Sequence, residues 1–174
     1  MQYCKLRAYF YSMKKYLFIT FFIINSLSGF CQSIPKWKIT DLVNYYTQPS
    51  DSIYIINFWS TWCQPCVDEI PFMQQITKKY ADKKVNLLLV SLDLYKLYPY
   101  KLKAFAKKHR FTANLVWLNE TDADIFCPAI DKKWSGAVPA TLIYNAKTGY
   151  RYFFEGKFTP IQFETALKQA LEGK

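Results

Sequence analysis

The stretch Ile53-Tyr54-Ile55-Ile56-Asn57-Phe58-Trp59-Ser60-Thr61-Trp62-Cys63-Gln64-Pro65-Cys66 decides the reading of the chain. Its first seven residues are β-branched, aromatic and almost continuously apolar, as a strand buried on both faces requires. Ser60-Thr61-Trp62 ends that run. From Cys63 the apolar spacing becomes helical, with Ile70, Met73, Ile76 and Tyr80 on one side. Two thiols separated by two residues at such a strand-to-helix turn can close a small disulfide ring with little backbone movement, which makes a reversible two-electron switch. Cys63 falls at the helix start, where free backbone N–H groups and the positive end of the dipole favour thiolate; such sites lower a cysteine pKa from about 8.5 to roughly 3.5–7.5. It is the expected attacking thiol. Cys66, one turn further in, suits the resolving step. Glu69, three residues beyond Cys66, is either a solvated first-turn acid or a partly buried carboxyl raised into a range useful for proton transfer.

Working outward, Asp41–Gln48 carries Leu42, Val43 and Tyr46 at helical spacing, and Pro49-Ser50-Asp51 breaks it. Val85–Leu92 reads as a second buried strand, Tyr100 to His109 as a helix through Leu102, Phe105 and Ala106, and Asn114–Leu118 as a third strand. This alternation points to βαβ units with parallel pairing. Val138–Tyr144 and Tyr150–Phe154 flank Asn145-Ala146-Lys147-Thr148-Gly149, a turn whose glycine supplies the left-handed position, so an antiparallel hairpin is predicted. Thr159-Pro160-Ile161-Gln162 is a capping box with proline at the first helical position. Phe163, Ala166, Leu167, Ala170 and Leu171 then form the apolar stripe of a closing helix.

The chain has 174 residues, of which 51% are apolar and 21% charged, so it supports one folded domain plus a leader and is not disordered. Its net charge is +10, but Lys5, Arg7, Lys14 and Lys15 lie in an acid-free amino end. Beyond it, lysine pairs such as Lys78/Lys79 and Lys83/Lys84 stand beside acids; this reads as a solvated surface, and nucleic acid is not an expected partner. The basic start leads into the apolar run Tyr16–Ile24, broken by Asn25, Ser26 and Ser28, which is short of the about 20 residues of a membrane span. Residues 1–31 are therefore expected to be a secretory signal, with Met13 an alternative start and cleavage near Cys31/Gln32. Residues 32–174 are expected to form the domain, in a periplasmic or secreted, oxidising setting.

The run from Asn57 to Pro71, Asn57-Phe58-Trp59-Ser60-Thr61-Trp62-Cys63-Gln64-Pro65-Cys66-Val67-Asp68-Glu69-Ile70-Pro71, resembles the signature of thioredoxin-like proteins, and among them the TlpA/ResA-type extracytoplasmic disulfide reductases. Trp134–Ile143 extends the resemblance, which covers the chain from about residue 35 to its end. It implies an α/β, thioredoxin-like fold: a central mixed sheet flanked by helices, with an N-terminal extension and a helix-strand insertion. Residue by residue it implies Cys63 as nucleophile, Cys66 as resolving thiol, Glu69 as active-site acid and Pro139 as a cis proline opposite the dithiol. Val138 would offer its backbone N–H and C=O to an extended substrate segment, Trp62 would form part of a flat docking surface, and Pro71 matches a proline within the first helix.

Cytosolic thioredoxins resemble one another in a buried Asp six residues before the first cysteine; here that position is Asn57, which moves proton handling to Glu69. Gln64-Pro65 lacks the histidine of strongly oxidising relatives, which favours a reductant; reference potentials for the two regimes are about −270 mV and about −120 mV. The resemblance further implies protein disulfides as substrates, a membrane thiol carrier as electron donor, apocytochrome c as one client class and no bound cofactor. An oxidase or isomerase of the same fold is the alternative.

Other chemistries find less support. A zinc site drawn from Cys63, Cys66, Cys127 and His109 lacks a second closely spaced ligand pair. Cys127 reads as a packed small hydrophobe rather than a third redox thiol, and His109 as a surface residue near a helix end. A Cys–His hydrolase lacks a second signature. Peroxiredoxin-like peroxidases resemble one another in a threonine three residues before the reactive cysteine, where this chain has Ser60. Retention of both thiols argues against a module that only binds partners.

Overall fold

β2 (Ile53–Trp59) is buried at every position and forms the middle of the molecule. Its side chains alternate: Ile53, Ile55 and Trp59 enter one core cluster, and Tyr54, Ile56 and Phe58 enter the other. In this computed structural model residues 33–173 are described, so the expected secretory signal lies outside the described residues. In chain order the elements are β1 (Lys36–Trp37), α1 (Ile39–Thr47), β2, α2 (Gln64–Lys79), β3 (Val85–Ser91), α3 (Tyr100–Lys108), β4 (Asn114–Leu118), α4 (Ala123–Ile130), β5 (Ala140–Asn145), β6 (Arg151–Glu155) and α5 (Pro160–Glu172).

The six strands make one mixed sheet in the order β1-β4-β3-β2-β5-β6. β1, β4, β3 and β2 are parallel; β5 and β6 run antiparallel. The expected helix-strand insertion is α3 with β4, and β4 sits between β1 and β3. One sheet face carries α2, α3 and α5 through Ile70, Met73, Leu102, Phe163 and Leu167; the other carries α1 and α4 through Leu42, Tyr46, Phe126 and Ile130. Among the described residues no helix is long and apolar enough to cross a membrane.

Several boundaries move for identifiable reasons. α1 begins at Ile39 rather than Asp41, because the Asp41 carboxylate accepts the Lys38 N–H (2.8 Å) from inside the first turn. β5 begins at Ala140 rather than Val138, since Pro139 has no N–H for the ladder and the Val138-Pro139 peptide is cis. β1 and α4 correspond to no predicted element. The hairpin turn is as predicted, with Gly149 at φ 74°, and Thr159 caps α5 by accepting the Gln162 N–H. The lysine pairs are solvated: Lys79 faces Glu164, Lys83 faces Asp82 and Lys84 faces Asp51.

Candidate active site

The C-terminal end of β2 and the N-terminus of α2 meet at Cys63, which caps the helix. Cys63 and Cys66 are joined as a disulfide with their Cα atoms 5.3 Å apart. Cys63 is 4% exposed and Cys66 0%. The Cys66 N–H donates to Cys63 Sγ (3.3 Å), so one of the helix's first free donors points at this sulfur. Trp62, 70% exposed, stands beside it on the surface. Pro71 lies inside α2 without ending it.

The turn ahead of the dithiol is fastened by Asp93, a buried residue just past β3. Both its carboxylate oxygens accept the Thr61 N–H (3.1 Å each); Oδ1 also accepts the Thr61 hydroxyl (2.7 Å) and Oδ2 the Ser91 hydroxyl (2.9 Å). Its carbonyl oxygen accepts the Trp117 indole N–H (2.6 Å). Sequence reasoning did not single out Asp93. The available signal was an acid immediately beyond the carboxyl end of a buried parallel strand, where α/β sheets gather their sites.

Glu69 is fully buried, so the solvated reading is excluded. Asn57, across from it on β2, donates its amide to Glu69 Oε1 (2.8 Å) and to Thr141 Oγ1 (3.0 Å), and the Phe158 N–H donates to Oε2 (2.9 Å). The register Asn57↔Thr141 brings those two side chains onto one face. Burial pushes the Glu69 carboxyl up to about 7, against the downward pull of the Phe158 N–H, the Asn57 amide and the Lys157 charge. Lys157 itself pairs with Asp68 (2.9 Å). Asn57 Oδ1 has no hydrogen-bond partner among the described residues.

Pairing of Ala140 with Phe58 places Pro139 at the same end of the sheet as the dithiol turn. The loop before it, Ser135–Ala137, is tied to the end of β6. Glu155 accepts the Ser135 N–H (3.1 Å), the Ala137 N–H (3.2 Å) and the Ser135 hydroxyl. Burial acts upward on the Glu155 carboxyl, but these donors outweigh it and hold the group below its ordinary range. Glu155, too, escaped sequence reasoning.

Cys127 and His109 do not join the site. Cys127 lies in the core cluster on the opposite sheet face from the dithiol, and burial, aided by Glu155 and Asp124, pushes its thiol up to about 11. His109 ends α3 with its ring stacked on Phe105 at 4.2 Å. With Cys127 on the far sheet face from Cys63 and Cys66, these four residues do not come together as one ligand set. Among the described residues no group of three or more His, Cys, Asp or Glu could hold a metal ion.

Residues 31–152 match the AhpC/TSA family. The chain belongs to this family. Among curated relatives of this AhpC/TSA member, the thiol-disulfide oxidoreductase ResA of Oceanobacillus iheyensis is 49% identical over 39 residues, 22% of this chain and 20% of that protein. ResA of Geobacillus kaustophilus is 28% identical over 155 residues, 87% of this chain and 84% of that protein. Across these curated relatives the chain thus spans from 20% to 84% of their length. A thioredoxin-related protein from Neisseria meningitidis serogroup B shares the fold at a TM-score of 0.61 and 23% identity, covering 72% of this chain and 89% of that one. The AhpC/TSA member therefore has the thioredoxin-like α/β fold.

Proposed function

We propose that this protein is a thiol-disulfide oxidoreductase that reduces protein disulfides outside the cytoplasm. The observation that carries the proposal is the Cys63–Cys66 pair at the first turn of α2, with Glu69 buried one turn beyond Cys66. Starting from the dithiol, the Cys63 thiolate attacks one sulfur of a substrate disulfide. A Cys63–substrate bond forms, the substrate bond breaks, and the departing thiolate takes up a proton. Cys66 then loses its proton and attacks Cys63 Sγ, which releases the second substrate thiol and leaves the Cys63–Cys66 disulfide. The substrate gains two electrons and two protons; both electrons and the Cys66 proton come from the protein, and the other proton, which Cys63 gave up on ionising, comes from solvent. A donor dithiol restores the starting state, and a membrane thiol carrier suits that part.

Each residue's role follows from its surroundings. The free N–H groups and dipole at the start of α2 stabilise the Cys63 thiolate. Glu69, ionised in part near neutral pH, accepts the Cys66 proton. Val138 next to cis Pro139 offers backbone groups to an extended client segment, and exposed Trp62 adds apolar contact. Apocytochrome c is one client class with a disulfide to reduce. The basic, then apolar, amino end supports export through a signal in residues 1–31.

The deciding experiment is reduction of insulin disulfides. The wild type should turn over with a dithiol donor, Cys63→Ser should abolish turnover, and Cys66→Ser should accumulate mixed disulfides with clients. Equilibration in glutathione buffers should give a potential close to about −270 mV; one close to about −120 mV would reverse the direction. Undiminished turnover by Cys63→Ser would exclude it as the nucleophile.

A further inference from the structure

In the loop that leads to Pro139, the N–H groups of Ser135 and Ala137 are already bonded. Glu155 Oε2 accepts the Ser135 N–H (3.1 Å), and Oε1 accepts the Ala137 N–H (3.2 Å) and the Ser135 hydroxyl. Trp134 closes the other side by donating its indole N–H to the Ala137 carbonyl (2.9 Å). Past Pro139 the ladder resumes: the Gly156 N–H donates to the Pro139 carbonyl (2.8 Å), and Ala140 pairs with Glu155. Val138, next to Pro139, makes no backbone hydrogen bond among the described residues, and neither does Gly136 on the far side of Ala137. Ser135 and Ala137 are exposed and have little packing of their own to fix them. Glu155 pairs with no cation among the described residues, so its carboxylate is committed to the loop.

We propose that Glu155 is a positioning residue that fixes this loop with the Ser135 and Ala137 N–H groups withdrawn, so that Val138 beside Pro139 presents its free backbone groups and sets the register in which an extended client segment pairs beside the dithiol. The inference rests on the oxidoreductase reading. An N–H already bound to a carboxylate cannot compete for the client, and a loop held in one conformation loses less entropy when the client strand adds to it. Without the carboxylate, the Ser135 and Ala137 N–H groups become rival donors and the loop loosens. A small disulfide that needs no strand pairing is indifferent to the change.

The test compares the wild type with Glu155→Ala, Glu155→Gln and Ser135→Ala. For insulin, Glu155→Ala should raise KM roughly tenfold with kcat within about twofold, the signature of lost binding that ground and transition state share. Its rate with the small aromatic disulfide dithiobis-nitrobenzoate should stay within about twofold. Hydrogen exchange at the Ser135 and Ala137 amides should quicken by about tenfold or more. Glu155→Gln, which keeps one acceptor oxygen, should fall between. An unchanged KM, undiminished amide protection, or an equal slowing with both disulfides would overturn the proposal. If the wild type itself fails to reduce insulin, the oxidoreductase reading fails, while amide exchange still decides whether Glu155 holds the loop. If Glu155→Ala does not fold, Glu155→Gln and Ser135→Ala carry the same readouts.

Discussion

Two glutamates serve the dithiol end of the sheet from opposite elements, Glu69 from α2 and Glu155 from β6, and their surroundings drive them in opposite directions. Glu69 is fully buried and receives two donors, the Asn57 amide and the Phe158 N–H; burial wins and its carboxyl rises to about 7. Glu155 is only partly buried and receives three donors from one short loop; the donors win and its carboxyl falls. The same side chain is thus raised towards neutral pH in one place and held as a carboxylate in the other. What separates them is the balance of lost hydration against hydrogen bonds received.

The largest effect expected from breaking this contrast comes from Glu69→Gln. It removes the group that titrates near neutrality, so the exchange rate should lose its inflection close to pH 7 and fall by about 100-fold at neutral pH. Stability should respond in the opposite sense. The folded protein holds the Glu69 proton more tightly than the unfolded chain, so its contribution to folding is complete below about pH 4.5 and is lost as pH rises through about 7. That loss amounts to about 3 kcal/mol, and urea unfolding at pH 5 and pH 8 should show it in the wild type and not in Glu69→Gln. A wild-type stability that is flat across this interval would sink the assignment.

Asn57→Asp should have the next largest effect. Asn57 suits a partner that changes protonation, because an amide has both a donor and an acceptor. Its Nδ2 serves the carboxylate, and half a turn of the amide would bring the unpartnered Oδ1 to the protonated acid. Aspartate there places a second carboxylate against Glu69, and the two cannot both ionise at low energy. The pair would hold a proton to higher pH, so the inflection should move up by more than about one pH unit. An inflection that stays put would mean Asn57 does not govern Glu69.

Which parts of this were legible in the sequence follows from where the signals lie. β2, α2, the β5–β6 hairpin and α5 each carry their own periodicity or cap, and the sequence reading found all four. β1 is two residues long and exists only through its pairing with β4; α4 has Pro128 inside a nearly uniform apolar run, which hides any helical period. The site divides in the same way. Asn57, Cys63, Cys66 and Glu69 share one continuous segment; the two cysteines were readable from spacing, and Asn57 and the part of Glu69 from the family resemblance that this segment carries. Asp93, Glu155 and the Phe158 N–H reach the site only through strand register and a distant loop, and a backbone donor has no residue-type signature at all.

Cys127 sharpens the contrast with the smallest expected change. It lies beneath the loop that Glu155 holds, since a Cβ on Gly136 would stand 3.6 Å from Cys127 Sγ. It is 5% exposed, and burial pushes its thiol up to about 11. Almost none is thiolate at neutral pH, and the native oxidised protein should resist alkylation there. Cys127→Ala removes one methyl-sized group from the core and should lower stability by about 1 kcal/mol. Exchange with both insulin and small disulfides should be unchanged. A raised KM for insulin alone would show that packing from below shares the loop's positioning with Glu155. A loss of exchange with every disulfide would instead give Cys127 a part in the redox cycle, which its place on the far face of the sheet argues against.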